Sequence, residues 1–373
     1  MSLRILHTAD WQIGKGFGQI PGDDGAALRN QRLETLGNLA ELAKSEAVDA
    51  VLAAGDVFDG QSVADRTVRQ VFEQMRAFSG PWVLLPGNHD AAVAESVWER
   101  ADRMGAVPPH VHIATAPQPI LLEEPGLAVL PGVLQRRHEP ADVTAWFDDV
   151  DLPSRYTAIG LAHGSITGFL PTEADSANPI AFNRAAMANL AYLALGDWHG
   201  TLQVNERSWY AGTPETDRFN SKNPGNALLV TLPDDGGTPD VEVRATTRYR
   251  WHRLSQTVHE PDDIAALGDR LADLGAPTTD QVVDLTLHGA LPLADKAALD
   301  QMIASWRGRL RHLRVDDAEL STRATEADIA ALEGAGFVAT AAKRLRQSAE
   351  AGEPADATAL EMLLAAYRRH VEG

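Results

Sequence analysis

Short, continuously apolar runs alternate with amphipathic stretches along the first half of this chain. LRILHTAD (3–10), VDAVLAAGDVFDG (48–60) and PWVLLP (81–86) predict buried strands. Between them, Leu33, Leu36, Leu39, Ala40 and Ala43 recur at helical spacing within 26–46, and Val68, Val71, Phe72 and Met75 do so within 62–79. Strand, loop and helix in this order predict an α/β layered core. Farther on, the pattern predicts a helix over 94–104, a strand over 126–133, a short helix over 140–148 and a strand over 156–166. A polar loop (167–183), a strand over 190–200 and shorter strands at 208–214, 227–232 and 241–247 complete the segment, with a turn at 233–240. These are too many strands for one parallel sheet, so the expected architecture is two packed β-sheets flanked by helices.

The pattern changes near residue 249. A strand (249–258), helix (262–274), strand (281–288) and helix (294–310) follow, with a last strand at 311–315 or 318–322, which predicts a small α/β unit. Residues 325–373 predict helices interrupted at Gly334-Ala335-Gly336 and Gly352-Glu353-Pro354. Phe337, Val338, Ala341 and Leu345 form one apolar stripe, and Leu360, Leu363, Leu364, Tyr367 and Val371 a second. Such stripes either pack on the chain's own core or present a helical face to a partner. The expected division is 1–248, 249–324 and 325–373.

Composition narrows the chemistry. With 44% hydrophobic and 23% charged residues the chain is globular, and no run approaches the length needed to span a membrane. The amino terminus lacks the pattern of a signal peptide, so a cytoplasmic protein without membrane attachment is expected. There is no cysteine, which excludes disulfides and thiolate ligands; a metal must be held by imidazole, carboxylate and amide groups. The net charge of −19 argues against a free-standing nucleic-acid binder. Residues 1–248 carry 19 basic and 32 acidic residues, so most of the excess lies there.

LPGNHD (85–90) ends an apolar run in a glycine turn and then offers Asn88, a neutral oxygen donor, and His89, a proton donor or nitrogen ligand. Four other strand ends carry related groups: Asp10 with Gln12, Asp56, His163, and Asp197 with His199. Singly, each is an ordinary turn or cap residue. Together at the carboxyl edge of a sheet, they are the hard and borderline ligands of a two-metal site, which needs one carboxylate to bridge both ions.

HTADWQIG, AAGDVFDG, LPGNHD, LAHGSI, LGDWHG and YAGTPE, in this order, resemble the calcineurin-like metallophosphoesterases, and within them the SbcD-type nuclease subunits. The resemblance is strong over roughly residues 1–220. It implies a metal-dependent DNA nuclease of double-strand-break repair and recombination, with exonuclease and endonuclease activity, that works with an SbcC-like SMC-family ATPase. It also admits a homodimer. By position, Asp10, Gln12, Asp56 and His199 would surround one ion. Asp56 would bridge to a second, completed by Asn88, His163 and Asp197. His89 would act near the scissile phosphate as acid or charge stabiliser, with in-line attack by a metal-bound hydroxide. The expected cofactors are two divalent ions, Mn²⁺ first and Mg²⁺ second.

Two positions depart from the family pattern, which has histidine where this chain has Gln12 and Asp197. The exchange adds oxygen and removes nitrogen, which favours hard ions. The run 306–314 is the one dense basic cluster, and Arg307, Arg309 and Arg311 in it are expected to meet substrate phosphates. In family terms 249–324 is a capping domain and 325–373 docks on the ATPase. Lys15, Arg29 and Arg32 could also meet phosphate, His7 is expected to be a packing residue, and Asp59 and Asp90 are expected to cap or support the ligands. Alternative readings are a small-molecule or nucleotide phosphodiesterase, an RNA-directed enzyme, and a structural subunit whose metal site Gln12 impairs.

Overall fold

The structure is a computed structural model that describes residues 2–169, 178–323, 336–351 and 354–372. The chain divides into two compact units, Met1–Tyr249 and Arg250–Gly373.

The first unit opens with β1 (Leu3–Thr8), α1 (Gly22–Ser45), β2 (Ala50–Ala53), α2 (Asp65–Met75), β3 (Trp82–Leu84), α3 (Val97–Arg103) and β4 (Val111–Ile113). It continues through β5 (Ile120–Leu122), β6 (Leu127–Gly132), β7 (Thr157–His163), β8 (Ser165–Ile166), β9 (Pro179–Ile180), α4 (Arg184–Met187) and β10 (Tyr192–Gly196). β11 (Leu202–Asn205), β12 (Ser208–Tyr210), β13 (Asn226–Leu232) and β14 (Asp240–Ala245) close it. The described strands form two six-stranded sheets, ordered β14-β13-β1-β2-β3-β4 and β11-β12-β10-β7-β6-β5, and a small β8-β9 pair.

Burial on both faces explains why the central strands are continuously apolar. Ile5, Leu52 and Val83 of the first sheet pack with Val129, Ile159 and Tyr192 of the second, so the core of the sandwich lies between the sheets. The other face of the first sheet, with Leu6, Val51 and Leu84, packs beneath Leu36, Leu39, Val68, Val71, Phe72 and Met75 of α1 and α2. The helical faces expected from sequence are therefore the buried ones, with Leu33 partly buried at the edge.

The strands are shorter than their apolar runs. β2 stops at Ala53 and β10 at Gly196, so Asp56 and Asp197 lie in the loops that follow. The expected helix over 140–148 is instead a 3-10 turn at Ala145–Asp149. The expected loop 167–183 lies partly outside the described residues, and its described end contains β9.

The second unit contains β15 (Arg250–Val258), α5 (Pro261–Ala272), β16 (Gln281–Pro292), α6 (Leu293–Arg307) and β17 (His312–Arg323). Its strands form a parallel sheet in chain order, with α5 and α6 as the crossovers. The two alternatives for the last strand merge into one, because β17 pairs with β16 from Val282 to Pro292, with one register shift between Thr286 and His288. Leu267, Leu271, Leu285, Leu299 and Leu313 are among its core residues.

α7 (Phe337–Glu350) and α8 (Pro354–Glu372) follow. Ala342, Leu360 and Leu364 are buried between them, with Val338, Leu345, Leu363, Tyr367 and Leu293 packed around. Val338 and Leu345 of the first stripe and Leu360, Leu363, Leu364 and Tyr367 of the second are thus engaged within this unit. Phe337 stays 84% exposed and Met362 69% exposed, outside the stripe contacts. The side chain of Val371, and the breaks at Gly334-Ala335 and Gly352-Glu353, lie outside the described residues.

Candidate metal centre

The loops after β1, β2, β3, β7 and β10 meet in the first unit. Asp10 N donates to the Gly55 carbonyl at 3.0 Å, and Gln12 N to the Asp56 carbonyl at 2.8 Å. Asp197 N donates to the Asp10 carboxylate at 3.2 Å. Asp10 (φ 54°), Gln12 (43°), Asp56 (52°) and Asp197 (96°) all adopt left-handed backbone. A side chain with a Cβ rarely takes that conformation, and such strain gathers at functional sites. Glycines clear the space: a Cβ on Gly87 would stand 2.2 Å from Asp56 Oδ1, and one on Gly196 1.8 Å from the Ala54 carbonyl.

Asp10, Asp56 and His163 each present a ligand atom within 4.8 Å of the others. His163 is fully buried, and its Nδ1 meets the Ala54 carbonyl at 2.8 Å. Its Nε2 lies 3.5 Å from Asp56 and 3.6 Å from Asp197 and has no hydrogen-bond partner among the described residues. Asn88 Oδ1 is buried and likewise unpartnered, while its amide nitrogen donates to Asp197 at 3.4 Å. A nitrogen so placed either carries a proton or holds a cation. Burial disfavours a charged His163 ring, but Asp56, Asp197 and Asp10, together with the Ala54 carbonyl, prevail and hold its pKa at about 9. Burial pushes Asp10 up to about 6 against the attraction of His199 and His163. Two carboxylates and an imidazole converging on one point, with the Asn88 amide against Asp197, fit a hard divalent ion.

His89 stands at the edge of this cluster. Its backbone N donates to Asp56 Oδ1 at 2.9 Å, its Nδ1 meets the Asp59 carbonyl at 3.1 Å, and its Nε2 is 3.9 Å from Asp56 Oδ2. The ring lines a cleft of about 790 Å³, as do Asn88, Asp197, Trp198, His199 and Arg218. Asp90 is buried behind it and braces two loops, accepting from Gly87 N at 2.6 Å and Phe58 N at 2.9 Å. Burial and the Asp56 charge raise Asp90 to about 8 against those two bonds.

Gln12 and His199 reach the cluster with other partners. Gln12 Oε1 accepts from Lys15 at 2.9 Å, and its amide nitrogen faces Asp56 Oδ2 and His199 Nε2, each at 3.3 Å. Arg218 Nη2 lies 2.5 Å from His199 Nδ1 and 2.9 Å from Nε2, and Asp217 lies 3.3 Å from Nδ1. Lys15, Asp217 and Arg218 form a charged wall of the cleft, joined by Asn220, Ser221 and Lys222. The loop residues 217–222 gave no sequence signal apart from following YAGTPE.

Arg32 differs from expectation. It is 3% exposed and donates to the carbonyls of Trp11, Asp10 and Glu215, so it is an internal brace rather than a phosphate contact. Arg29 bonds the Gly16 carbonyl. His7 is fully buried against the Tyr192 hydroxyl and the Leu195 carbonyl. Arg307, Arg309 and Arg311 belong to the second unit, where Arg309 stacks 4.0 Å over Trp306 and Arg311 donates to the Thr279 carbonyl.

The profile of the family described as calcineurin-like phosphoesterase matches residues 3–231. The chain is 27% identical over 275 residues to the SbcD subunit of nuclease SbcCD from Bacillus subtilis, covering 62% of this chain and 66% of that one. It is 26% identical over 277 residues to the SbcD subunit of nuclease SbcCD from Escherichia coli K12, covering 64% and 67%. To the uncharacterized metallophosphoesterase YhaO of Bacillus subtilis it is 22% identical over 327 residues, covering 81% and 76%. Among the described residues no helix is long and apolar enough to cross a membrane.

Proposed function

Because the chain belongs to the calcineurin-like phosphoesterase family, we propose that it is a metal-dependent phosphodiesterase that cuts DNA at its ends together with an SbcC-like SMC-family ATPase. The observation that carries this reading is a pair of buried ligand atoms without partners among the described residues: His163 Nε2, beside Asp56 and Asp197, and Asn88 Oδ1, whose own amide nitrogen contacts Asp197. In this reading Asp10, Gln12, Asp56 and His199 surround one ion, and Asp56, Asn88, His163 and Asp197 the other. Bound divalent ions, Mn²⁺ first and Mg²⁺ second, supply Lewis-acid stabilisation of the phosphate and an activated nucleophile.

The protein's own groups do the rest. His89 faces the cleft while its main chain is tied to Asp56, so the ring is placed to protonate a leaving oxygen or to stabilise phosphate charge. Residues 249–324 serve as the capping domain, where Arg307, Arg309 and Arg311 track the DNA backbone. Residues 325–373 bind the ATPase. The names of the bacterial relatives support the nuclease reading and the partnership. So does charge: an acidic catalytic unit binds DNA poorly, and a partner can supply the missing electrostatic affinity.

The test is a purified-protein assay across a metal series. Substrates are DNA duplex ends, RNA, bis(p-nitrophenyl) phosphate and nucleotide monoesters. Cleavage of duplex ends in Mn²⁺, abolished by chelator, supports the proposal. Cleavage confined to small esters would move the substrate class, and no retained metal with no hydrolysis would leave a structural subunit.

A further inference from the structure

The centre contains two imidazoles and two amides, and the members of each pair are in opposite states. His163 Nε2 faces only the acceptor oxygens of Asp56 and Asp197. His199 faces donors instead: Arg218 Nη2 lies 2.5 Å from its Nδ1 and 2.9 Å from its Nε2, and the Gln12 amide nitrogen is 3.3 Å from Nε2. Asn88 Oδ1 is unpartnered, whereas Gln12 Oε1 accepts from the Lys15 ammonium at 2.9 Å.

The orientation of Gln12 follows from its neighbours. Turning the amide over would point its oxygen at the Asp56 carboxylate and its hydrogens at Lys15, acceptor against acceptor and donor against donor. An ion entering between Gln12 and Asp56 therefore has to displace the ammonium from Gln12 and the guanidinium from His199. Asp217 holds both cations in place, pairing with Lys15 and lying 3.2 Å from Arg218.

We propose that the two ion subsites are unequal. Among the described residues no lysine or arginine pairs with Asp56, Asn88, His163 or Asp197, so that subsite has no side-chain ammonium or guanidinium for a divalent ion to displace. At the Gln12 and His199 subsite, Lys15 and Arg218 are resident cations that a second divalent ion must displace. This rests on the metal-dependent reading above and deepens it: one ion stays with the resting protein, and the second binds in competition with the protein's own positive charge. At position 12 the amide oxygen anchors Lys15 while the amide nitrogen faces Asp56 and His199.

The experiment is a Mn²⁺ titration of the full chain by calorimetry, with metal content after desalting and the electron paramagnetic resonance signature of a coupled Mn²⁺ pair. The wild type should retain one Mn²⁺ and bind a second at least roughly tenfold more weakly. Removing one unit charge beside the weak subsite, in Lys15→Met or separately Arg218→Met, should narrow that gap by roughly tenfold and bring the coupled-pair signal in at lower Mn²⁺. His163→Ala should lose the retained ion. Two equally tight ions in the wild type, or an unchanged second affinity in both cleft variants, would overturn the inequality. A wild type that retains no Mn²⁺ would instead overturn the metal-dependent reading itself.

Discussion

The guanidinium of Arg32, inside helix α1, donates to the backbone carbonyl of Asp10 at 3.1 Å. The same group bonds the Trp11 carbonyl at 2.7 Å and the Glu215 carbonyl at 2.9 Å, so one buried cation ties the first ligand loop to the loop after β12. Arg32→Met keeps much of the volume but strands these acceptors. It should cost on the order of 3–5 kcal/mol, the usual penalty for breaking a buried charged network, measured by urea unfolding. Metal retention should fall with it, since Asp10 loses its brace.

His89→Ala should slow diester hydrolysis by roughly 10²–10⁴-fold, the usual worth of an acid–base group, with Mn²⁺ content unchanged. The backbone bond from residue 89 to Asp56 survives the substitution, so the loop should hold. Loss of metal in this variant would make His89 a ligand and remove the proposed role.

Hydrolysis should require Mn²⁺, with lower rates in Mg²⁺, and stop in EDTA. The carboxylates of Asp10, Asp56 and Asp197 suit both ions, and the imidazoles of His163 and His199 tip the order toward Mn²⁺. Undiminished cleavage in EDTA would contradict the metal-dependent reading.

His7 sets a pH dependence of stability away from the cleft. Burial lowers its pKa to about 3 from the ordinary 6.5, and the Leu195 carbonyl offsets only part of that. The unfolded chain therefore takes up a proton below pH 6.5 that the folded chain refuses until about pH 3. The stabilisation is fully present above pH 6.5 and is lost as pH falls toward 3, at up to about 1.4 kcal/mol per pH unit for one proton. Unfolding free energies of the wild type and His7→Gln should diverge by this slope across that window. Parallel curves would show that His7 is not held neutral.

The helical hairpin separates packing from docking. Leu364 is 2% exposed inside it, and Leu364→Asp should lower the thermal midpoint of the second unit. Phe337 and Met362 are exposed and make no part of that core. If residues 325–373 bind the ATPase, the double substitution Phe337→Asp and Met362→Asp should weaken its pull-down while leaving unfolding unchanged. Full retention of the partner would remove these two residues from the interface.

The layers of the first unit were legible in the sequence because burial leaves a local trace. Strands covered on both faces read as unbroken apolar runs, as at Val51–Ala53, and helices covered on one face repeat every three or four residues, as at Val68, Val71, Phe72 and Met75. The candidate ligands stood out for the same reason, since Asp10, Asp56, Asn88 and Asp197 follow closely after such runs. β4, β5 and β11, of three or four residues each, are too short to establish a period, and unlike β2 and β3 they are not fully buried along their length, so they leave no continuous buried run.

Hydrogen-bond state left no such trace. Lys15 and Asp217 are 202 positions apart, Gln12 and His199 187 apart, and nothing in either local sequence tells which atoms are already satisfied. The same holds for Arg32, a candidate phosphate contact by sequence whose partners come from two distant loops. A residue's type and place after a strand decide what chemistry it can offer. Which neighbour takes each lone pair depends on how the two sheets stack and where the loop at 217–222 comes to rest, and that is settled only when the chain closes on itself.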